Sequence, residues 1–357
     1  MYDFSPYCSV DVASELIACC LAKHVPFYAC RYPGEEQCRF GAQIASDPHR
    51  GLTDGFRVVP FDVNSDTPAF TIVPDTFASD IEIIKSLPER EVEDYKLFQP
   101  DADYDAYIRS VGQLVARMQA GELSKVVLSR TITRPCDTNK TLPQYFARLS
   151  HLYPQAYVFI VSYPGVCGWM GATPEVLLLS QPTGYATMAL AGTRRVGTTT
   201  PWGDKEQQEQ EYVRQYITDI LRSRGLLDVD VYTYTKPAAQ VEHLCTHFDI
   251  TTSHQAVLRN VLLQSLHPTP AVAGTPTLQA MQIIASSEAH DRRYYGGYLG
   301  EALADGRCGM FVNLRSMEFD AQSVCLYVGG GLTAHSIAHD EWSETCAKSQ
   351  TLLSAFH

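Results

Sequence analysis

Apolar side chains recur along this chain with two periods. Ile108, Val111, Leu114, Val115 and Met118 follow spacings of three and four, which predicts a helix over 105–121 closed by Gly121. Similar patterns predict helices at 11–22, 205–224, 277–289 and 339–356. Short apolar runs between them read as strands at 125–133, 157–163, 175–180, 185–191, 229–234, 241–251, 310–319 and 323–328, with a brief one near 69–73. Several strands follow one another without a helix between, which favours an α+β fold built on mostly antiparallel sheet. Residues 1–100 read as a less regular part with loops rich in Pro, Gly and Asp, and no repeat or clean linker divides 101–357.

Two helices break the usual pattern. On 339–356, Glu341, Glu344 and Lys348 share one face, and Leu352 continues it. On 205–224, Glu206 and Glu209 precede Val213 and Tyr216 on the side of the apolar stripe. Charges usually lie opposite that stripe. Two inward Glu-x-x-Glu pairs suggest a site for a hard, oxygen-liking cation such as Mg²⁺. Two salt-bridged surface helices, supported by Lys205, Arg214 and Lys348, are the competing reading.

The bulk numbers narrow the class. At 357 residues, 45% hydrophobic and 19% charged, the chain can bury a large core. Its net charge of −12 argues against nucleic acid or an anionic membrane as partner. Eleven irregularly spaced cysteines, with no Cys-x-x-Cys, read as reduced thiols of a cytoplasmic protein. The first residues show neither a basic nor a long apolar leader, and no run reaches the ~18 apolar residues of a membrane span.

Individual residues carry possible chemistry. Lys125 opens a Val-Val-Leu strand, where desolvation would lower its pKa toward that of a base. Glu175, after Gly-Ala-Thr-Pro and before Val and three leucines, could be held protonated as an acid. Taken alone, each is more often an ordinary strand-end charge. Gly192 and Thr193 form a turn able to hold a carboxylate, and Gly329–Gly331 permits close backbone approach without being a P-loop. Arg315, in the apolar run 311–315, wants a bidentate anion. His243 alone reads equally as a core histidine.

Ten segments from Gly121 to Lys348 come in an order that resembles the chorismate-utilising enzymes. They are Lys-Val-Val-Leu-Ser-Arg (125–130), Gly-Ala-Thr-Pro-Glu (171–175), Leu-Ala-Gly-Thr-Arg (190–194), Lys-Glu-x-x-Glu (205–209) and Glu-His-Leu (242–244). His-Pro-Thr-Pro-Ala-Val-Ala-Gly-Thr-Pro (267–276), the Arg292–Gly300 run, Val-Asn-Leu-Arg (312–315), Gly-Gly-Gly (329–331) and Glu-Trp-x-Glu-Thr-x-x-Lys (341–348) complete the series. The resemblance implies an α/β/β/α sandwich in which 1–100 is a variable part of the same compact fold and 101–357 binds chorismate. It implies Mg²⁺ held by Glu209 and Glu344 with Glu206 and Glu341 in support. Lys125 would be the general base and Glu175 the general acid. Arg315, Gly331 and Lys348, beside Leu314, Gly329 and Tyr295, would hold the enolpyruvyl carboxylate; Gly192, Thr193 and His243 would line the ring.

Within the family, Lys125, Leu190-Ala191 and Ala271 resemble the water-activating isochorismate synthase branch, of the menaquinone-pathway type, needing no obligatory protein partner. The alternatives are a salicylate synthase, a siderophore-pathway enzyme, an amine-transferring synthase and a non-catalytic relative. Three departures from the family pattern bear on local geometry: Gln210 where His is usual, Arg293 where Gly is usual, and Ser336-Ile-Ala in place of Ser-Asp-Pro.

Overall fold

The structure, a computed structural model, describes residues 6–45, 54–92, 96–97, 99–238, 241–252 and 255–356. Two antiparallel sheets face each other. The larger runs Tyr7–Cys8, Cys38–Ala42, Phe27–Arg31, Tyr157–Tyr163, Cys167–Thr173, Ser316–Phe319, Ser323–Leu332, Lys125–Pro135, Gly274–Thr275, with Thr76–Phe77 paired to Cys38–Ala42. The smaller runs Val229–Ala238, Val241–Thr251, Gly184–Arg195, Val176–Gln181, Cys308–Val312, Tyr298–Ala302, Gly55–Val59, Phe70–Ile72. Strands from the first hundred residues therefore extend both sheets.

Burial on both faces explains why the strands read as solid apolar runs. In Tyr157–Tyr163, Tyr157, Phe159 and Val161 point between the sheets, while Val158 and Ile160 point outward. Tyr327 and Cys325 point inward from Ser323–Leu332, and Val324, Leu326 and Val328 point outward. Each outward face meets helices. Val10–Ala22 and Thr138–Leu152 cover the larger sheet, and Asp204–Ser223 and Gln255–Leu266 cover the smaller. Tyr104–Gln119 and Ala338–Leu353 pack together over the end of the larger sheet. The layers are thus helix, sheet, sheet, helix, as the resemblance implied. No helix of the described residues is long and apolar enough to cross a membrane.

The predicted helices stand within a few residues of expectation, as Val10–Ala22, Tyr104–Gln119, Asp204–Ser223, Thr277–Ser287 and Ala338–Leu353. One strand is corrected. The run 310–319 is not continuous: Cys308–Val312 belongs to the smaller sheet and Ser316–Phe319 to the larger. Arg315, at φ 48°, turns the chain between them, because a left-handed residue cannot propagate an extended strand. Thr138–Leu152 was not predicted, although Leu142, Tyr145, Phe146 and Leu149 have helical spacing; Pro143 within it reads locally as a breaker.

Candidate active site

Four features of the backbone converge where the two sheets separate. Glu175 stands in the crossover from Cys167–Thr173 to Val176–Gln181, and Arg315 stands in the crossover back. Lys125 is the first residue of its strand. At Gly192 (φ 65°) the register of Gly184–Arg195 slips against Val241–Thr251, a bulge that turns the Gly192 carbonyl toward His243. The resulting pocket is lined by Lys125, Glu175, Gly192, Thr193, Glu209, His243, Tyr295, Leu314, Arg315, Gly329, Gly331, Glu344 and Lys348. Leu190, Ala191, Ala271, Val272 and Tyr327 supply its apolar wall.

Lys125 is 1% exposed and Glu175 2%. Burial holds the Lys125 ammonium below its ordinary pKa, with Glu209 and Glu175 opposing that shift. Burial pushes Glu175 up to about 8, against the pull of Lys125 and Lys236. Its Oε1 has no hydrogen-bond partner among the described residues. A lysine moved toward neutrality and a carboxyl moved toward protonation therefore share one pocket, the pairing expected of a base and an acid.

His243 is fixed by its Nδ1, 3.0 Å from the Gly192 carbonyl and 3.2 Å from Thr193 Oγ1. A carbonyl can only accept, so Nδ1 carries the proton and donates it. Burial, then the Arg315 charge, lowers its pKa to about 3, so the ring is neutral. Nε2 is left as a buried acceptor without a partner among the described residues, suited to a ligand hydroxyl.

On the facing helix, Lys348 Nζ donates to the Gly329 carbonyl at 2.9 Å and pairs with Glu344 at 2.6 Å. Burial pushes Glu344 up, but Lys348 outweighs it and holds the carboxyl below its usual range. Burial raises Glu209, with Lys125 and Lys205 opposing and the Glu344 and Glu341 charges adding to the rise. Glu341, 1% exposed, accepts from Lys205 at 2.7 Å through Oε1, while Oε2 has no partner among the described residues. Glycines let these carboxylates approach the strand. A Cβ at Gly330 would lie 3.2 Å from Glu341 Oε2, and one at Gly331 would lie 3.2 Å from Glu209 Oε2 and 3.1 Å from Lys125 Cε.

Among the described residues, no three His, Cys, Asp or Glu side chains form a ready metal cage. The donor set nevertheless suits a hard divalent cation: carboxylate oxygens only, one of them orphaned, and like charges crowded together. Glu209 and Glu344 reach the pocket, and Glu341 stands behind them. Glu206 differs: its carboxylate folds back over Gly203, the residue before the helix, and it does not line the pocket.

The departures from the family pattern have local reasons. Gln210 Nε2 donates to the Ala189 carbonyl and to Thr246 Oγ1, both at 3.0 Å, tying its helix to the smaller sheet. Arg293 has φ 48°, which explains the preference for Gly at that position. Its guanidinium pairs with buried Glu318, which in turn accepts from the OH of the pocket residue Tyr327 at 3.0 Å. Tyr327 and Lys236 were not among the sequence candidates. Tyr327 sits two residues before Gly329 on the inner face of its strand, and that period-two position is the signal that could have found it.

A stability consequence follows from Glu175. Its pKa is raised on folding, so its contribution is full below the unfolded value near 4.5 and is lost as pH rises through about 8. Glu175→Gln should therefore melt higher than the parent protein at alkaline pH and like it near pH ~4, the gain being on the order of a few kcal/mol. Calorimetry at the two pH values checks this; an equal difference at both would contradict it.

Comparison with known proteins fits this geometry. A profile of the family described as "Chorismate binding enzyme" matches residues 65–357. Isochorismate synthase EntC of Escherichia coli strain K12 is 31% identical over 261 residues, covering 68% of this chain and 66% of that one. The vibriobactin-specific isochorismate synthase of Vibrio cholerae is 26% identical over 374 residues, covering 98% and 91%. The solved structure of MenF, the menaquinone-specific isochorismate synthase of Escherichia coli, has the same fold, with a TM-score of 0.76 at 20% identity over 97% of this chain and 91% of that one. The ordered motifs, the two-sheet architecture and the profile match agree that this chain belongs to the chorismate-binding enzyme family.

Proposed function

We propose that this protein is an isochorismate synthase, which converts chorismate to isochorismate by adding water at C2 as the C4 hydroxyl leaves. Water gained equals water lost, so the reaction is an isomerisation. The observation that carries this reading is that Lys125 and Glu175 line one pocket, each buried and displaced toward the protonation state its role needs. Neutral Lys125 takes a proton from the attacking water. Protonated Glu175 donates to the departing hydroxyl. His243 Nε2 accepts from a ring hydroxyl, with Thr193 beside it.

The substrate carries two carboxylates, and the protein is itself acidic overall, with a net charge of −12. Local cations must therefore neutralise the ligand. Arg315 and Lys348, with the Gly331 backbone, hold the enolpyruvyl carboxylate. Glu209 and Glu344, supported by Glu341, would hold Mg²⁺, and Glu206, turned toward Gly203, would not. When bound, the ion supplies positive charge to the ring carboxylate and fixes its orientation. We assign the product to menaquinone biosynthesis, a reading supported by the motif resemblance and by the presence of a menaquinone-specific enzyme among proteins of this fold.

Incubation of purified protein with chorismate and Mg²⁺, followed by chromatographic product analysis, tests the assignment. The expected product is isochorismate without pyruvate. Release of pyruvate with salicylate would identify a salicylate synthase. Glutamine- or ammonia-dependent anthranilate would identify an amine-transferring enzyme, and no turnover would identify a binding relative.

A further inference from the structure

Lys236 lies on the outer strand of the smaller sheet, opposite His243 in register. It is half-buried, and it does not line the active-site pocket. Its side chain nevertheless reaches toward that pocket from behind. Nζ donates to the carbonyl of Pro174, the residue before Glu175, at 2.8 Å, and lies 3.6 Å from Met188 Sδ. A lysine that gives up bulk hydration for one carbonyl and a thioether is placed at a desolvation cost. Burial lowers its pKa accordingly. The Glu175 crossover has other ties. The Glu175 amide donates to Thr173 Oγ1 at 3.3 Å, and its carbonyl accepts from the Val312 amide at 3.0 Å. Neither brings charge to the carboxyl.

We propose that Lys236 is the positioning residue for the acid, holding the Pro174–Glu175 crossover through the Pro174 carbonyl and placing a positive charge behind the Glu175 carboxyl, on the side away from the substrate. The inference rests on the reading of Glu175 as general acid. The titratable groups around Glu175 are Lys125 on the larger sheet, Lys236 and Cys245 on the smaller sheet, and Tyr295 in the pocket wall. Lys125 cannot serve as a permanent positive partner, because it must be neutral to act as base. Lys236 is the cation near Glu175 that takes no part in the chemistry, and it keeps the acid from becoming too weak to give up its proton. Its charge acts on Glu175 and is absent from the principal influences on Lys125. The two limbs of the pH profile should therefore respond differently.

The test is kcat and KM for chorismate with Mg²⁺ between about pH 6 and about pH 10 in the parent protein, Lys236→Met, Lys236→Gln and Lys236→Arg. The alkaline limb reports Glu175, because activity is lost as the acid deprotonates. In Lys236→Met this limb should move up by about one pH unit and kcat should fall roughly tenfold, with the acid limb and KM little changed. Lys236→Gln, which can still donate to Pro174, should move the limb but keep more of kcat. Lys236→Arg should keep the limb in place. An unmoved alkaline limb in both neutral variants, or an equal displacement in Lys236→Arg, would overturn the proposal. Carbon-13 NMR of protein labelled at the glutamate carboxyls, with Glu175 assigned by Glu175→Gln, reads the same titration without turnover. If chorismate proves not to be a substrate, the functional reading fails, while the midpoint of Glu175 still decides the role of Lys236: higher in the neutral variants supports it, and unchanged refutes it.

Discussion

Lys125→Ala should give a folded protein that converts chorismate roughly 10²–10⁴-fold more slowly than the parent, the range for loss of one general base. The reason lies in the fold. Lys125 enters the pocket from the first position of a strand whose next residues are locked in the core, so no neighbouring side chain can take its place. Glu175→Gln should show a comparable loss, since an amide cannot donate a proton to the leaving oxygen. The double variant should be little worse than either single one, because base and acid act on one event. The parent profile should be bell-shaped. Activity should fall on the acid side as Lys125 gains its proton, and on the alkaline side as Glu175 loses its own near 8. Stopped product assays with circular dichroism as a folding control check all of this. Near-normal isochorismate formation by either single variant would refute the assignment of roles.

Stripping divalent metal should abolish turnover, and Mg²⁺ should restore it. Glu209, Glu341 and Glu344 gather beside Gly330 and Gly331, where Lys205 pairs with Glu341 and Lys348 with Glu344. A site with that much negative charge would repel a dicarboxylate unless a further cation intervened. The binding can be read apart from activity. An ion that binds only the folded state stabilises it by about 2.7 kcal/mol at a hundred times its Kd, so Mg²⁺ should raise the melting temperature in the absence of substrate. Glu344→Gln and Glu209→Gln should remove both that rise and turnover. Glu206→Gln should keep most of the rise, because its carboxylate is turned toward Gly203. Metal-independent turnover, or a thermal shift that survives both Glu344→Gln and Glu209→Gln, would overturn the metal assignment.

Residues legible from the sequence were those whose local pattern conflicts with their surroundings. Glu341, Glu344 and Glu209 stood out because carboxylates continue an apolar stripe; in the structure Glu209 and Glu341 are buried and Glu344 is half-buried, since the buried face of its helix runs through Glu341, Thr345, Ser349 and Leu352. Lys125 and Glu175 stood out as charges at the head of apolar strands, and the ordered motifs joined them to a single family. Helix positions came close because one helix face repeats within a few residues. The first hundred residues were less legible. Phe27–Arg31, Cys38–Ala42 and Gly55–Val59 are short, and the first two are buried on both faces, which erases the alternation that marks a half-exposed strand.

The chain's own order of residues thus determined which groups our proposal draws on: Lys125 and Glu175 for proton transfer, Glu209, Glu341 and Glu344 as oxygen donors, and Arg315 and Lys348 as cationic anchors. Only the tertiary structure decided how they combine. Arg315 proved to be a left-handed crossover residue and not part of a strand, Glu206 turned away from the pocket while Glu209 entered it, and Lys236, unremarkable between Thr235 and Pro237, reached behind the acid. Side-chain period is set by neighbours a few positions away and can be read locally. Crossovers between sheets, helix docking at Gly192 and Gly330, and the burial that shifts Lys125 and Glu175 toward neutrality arise from residues distant in sequence, so they exist only once the two sheets have closed on each other.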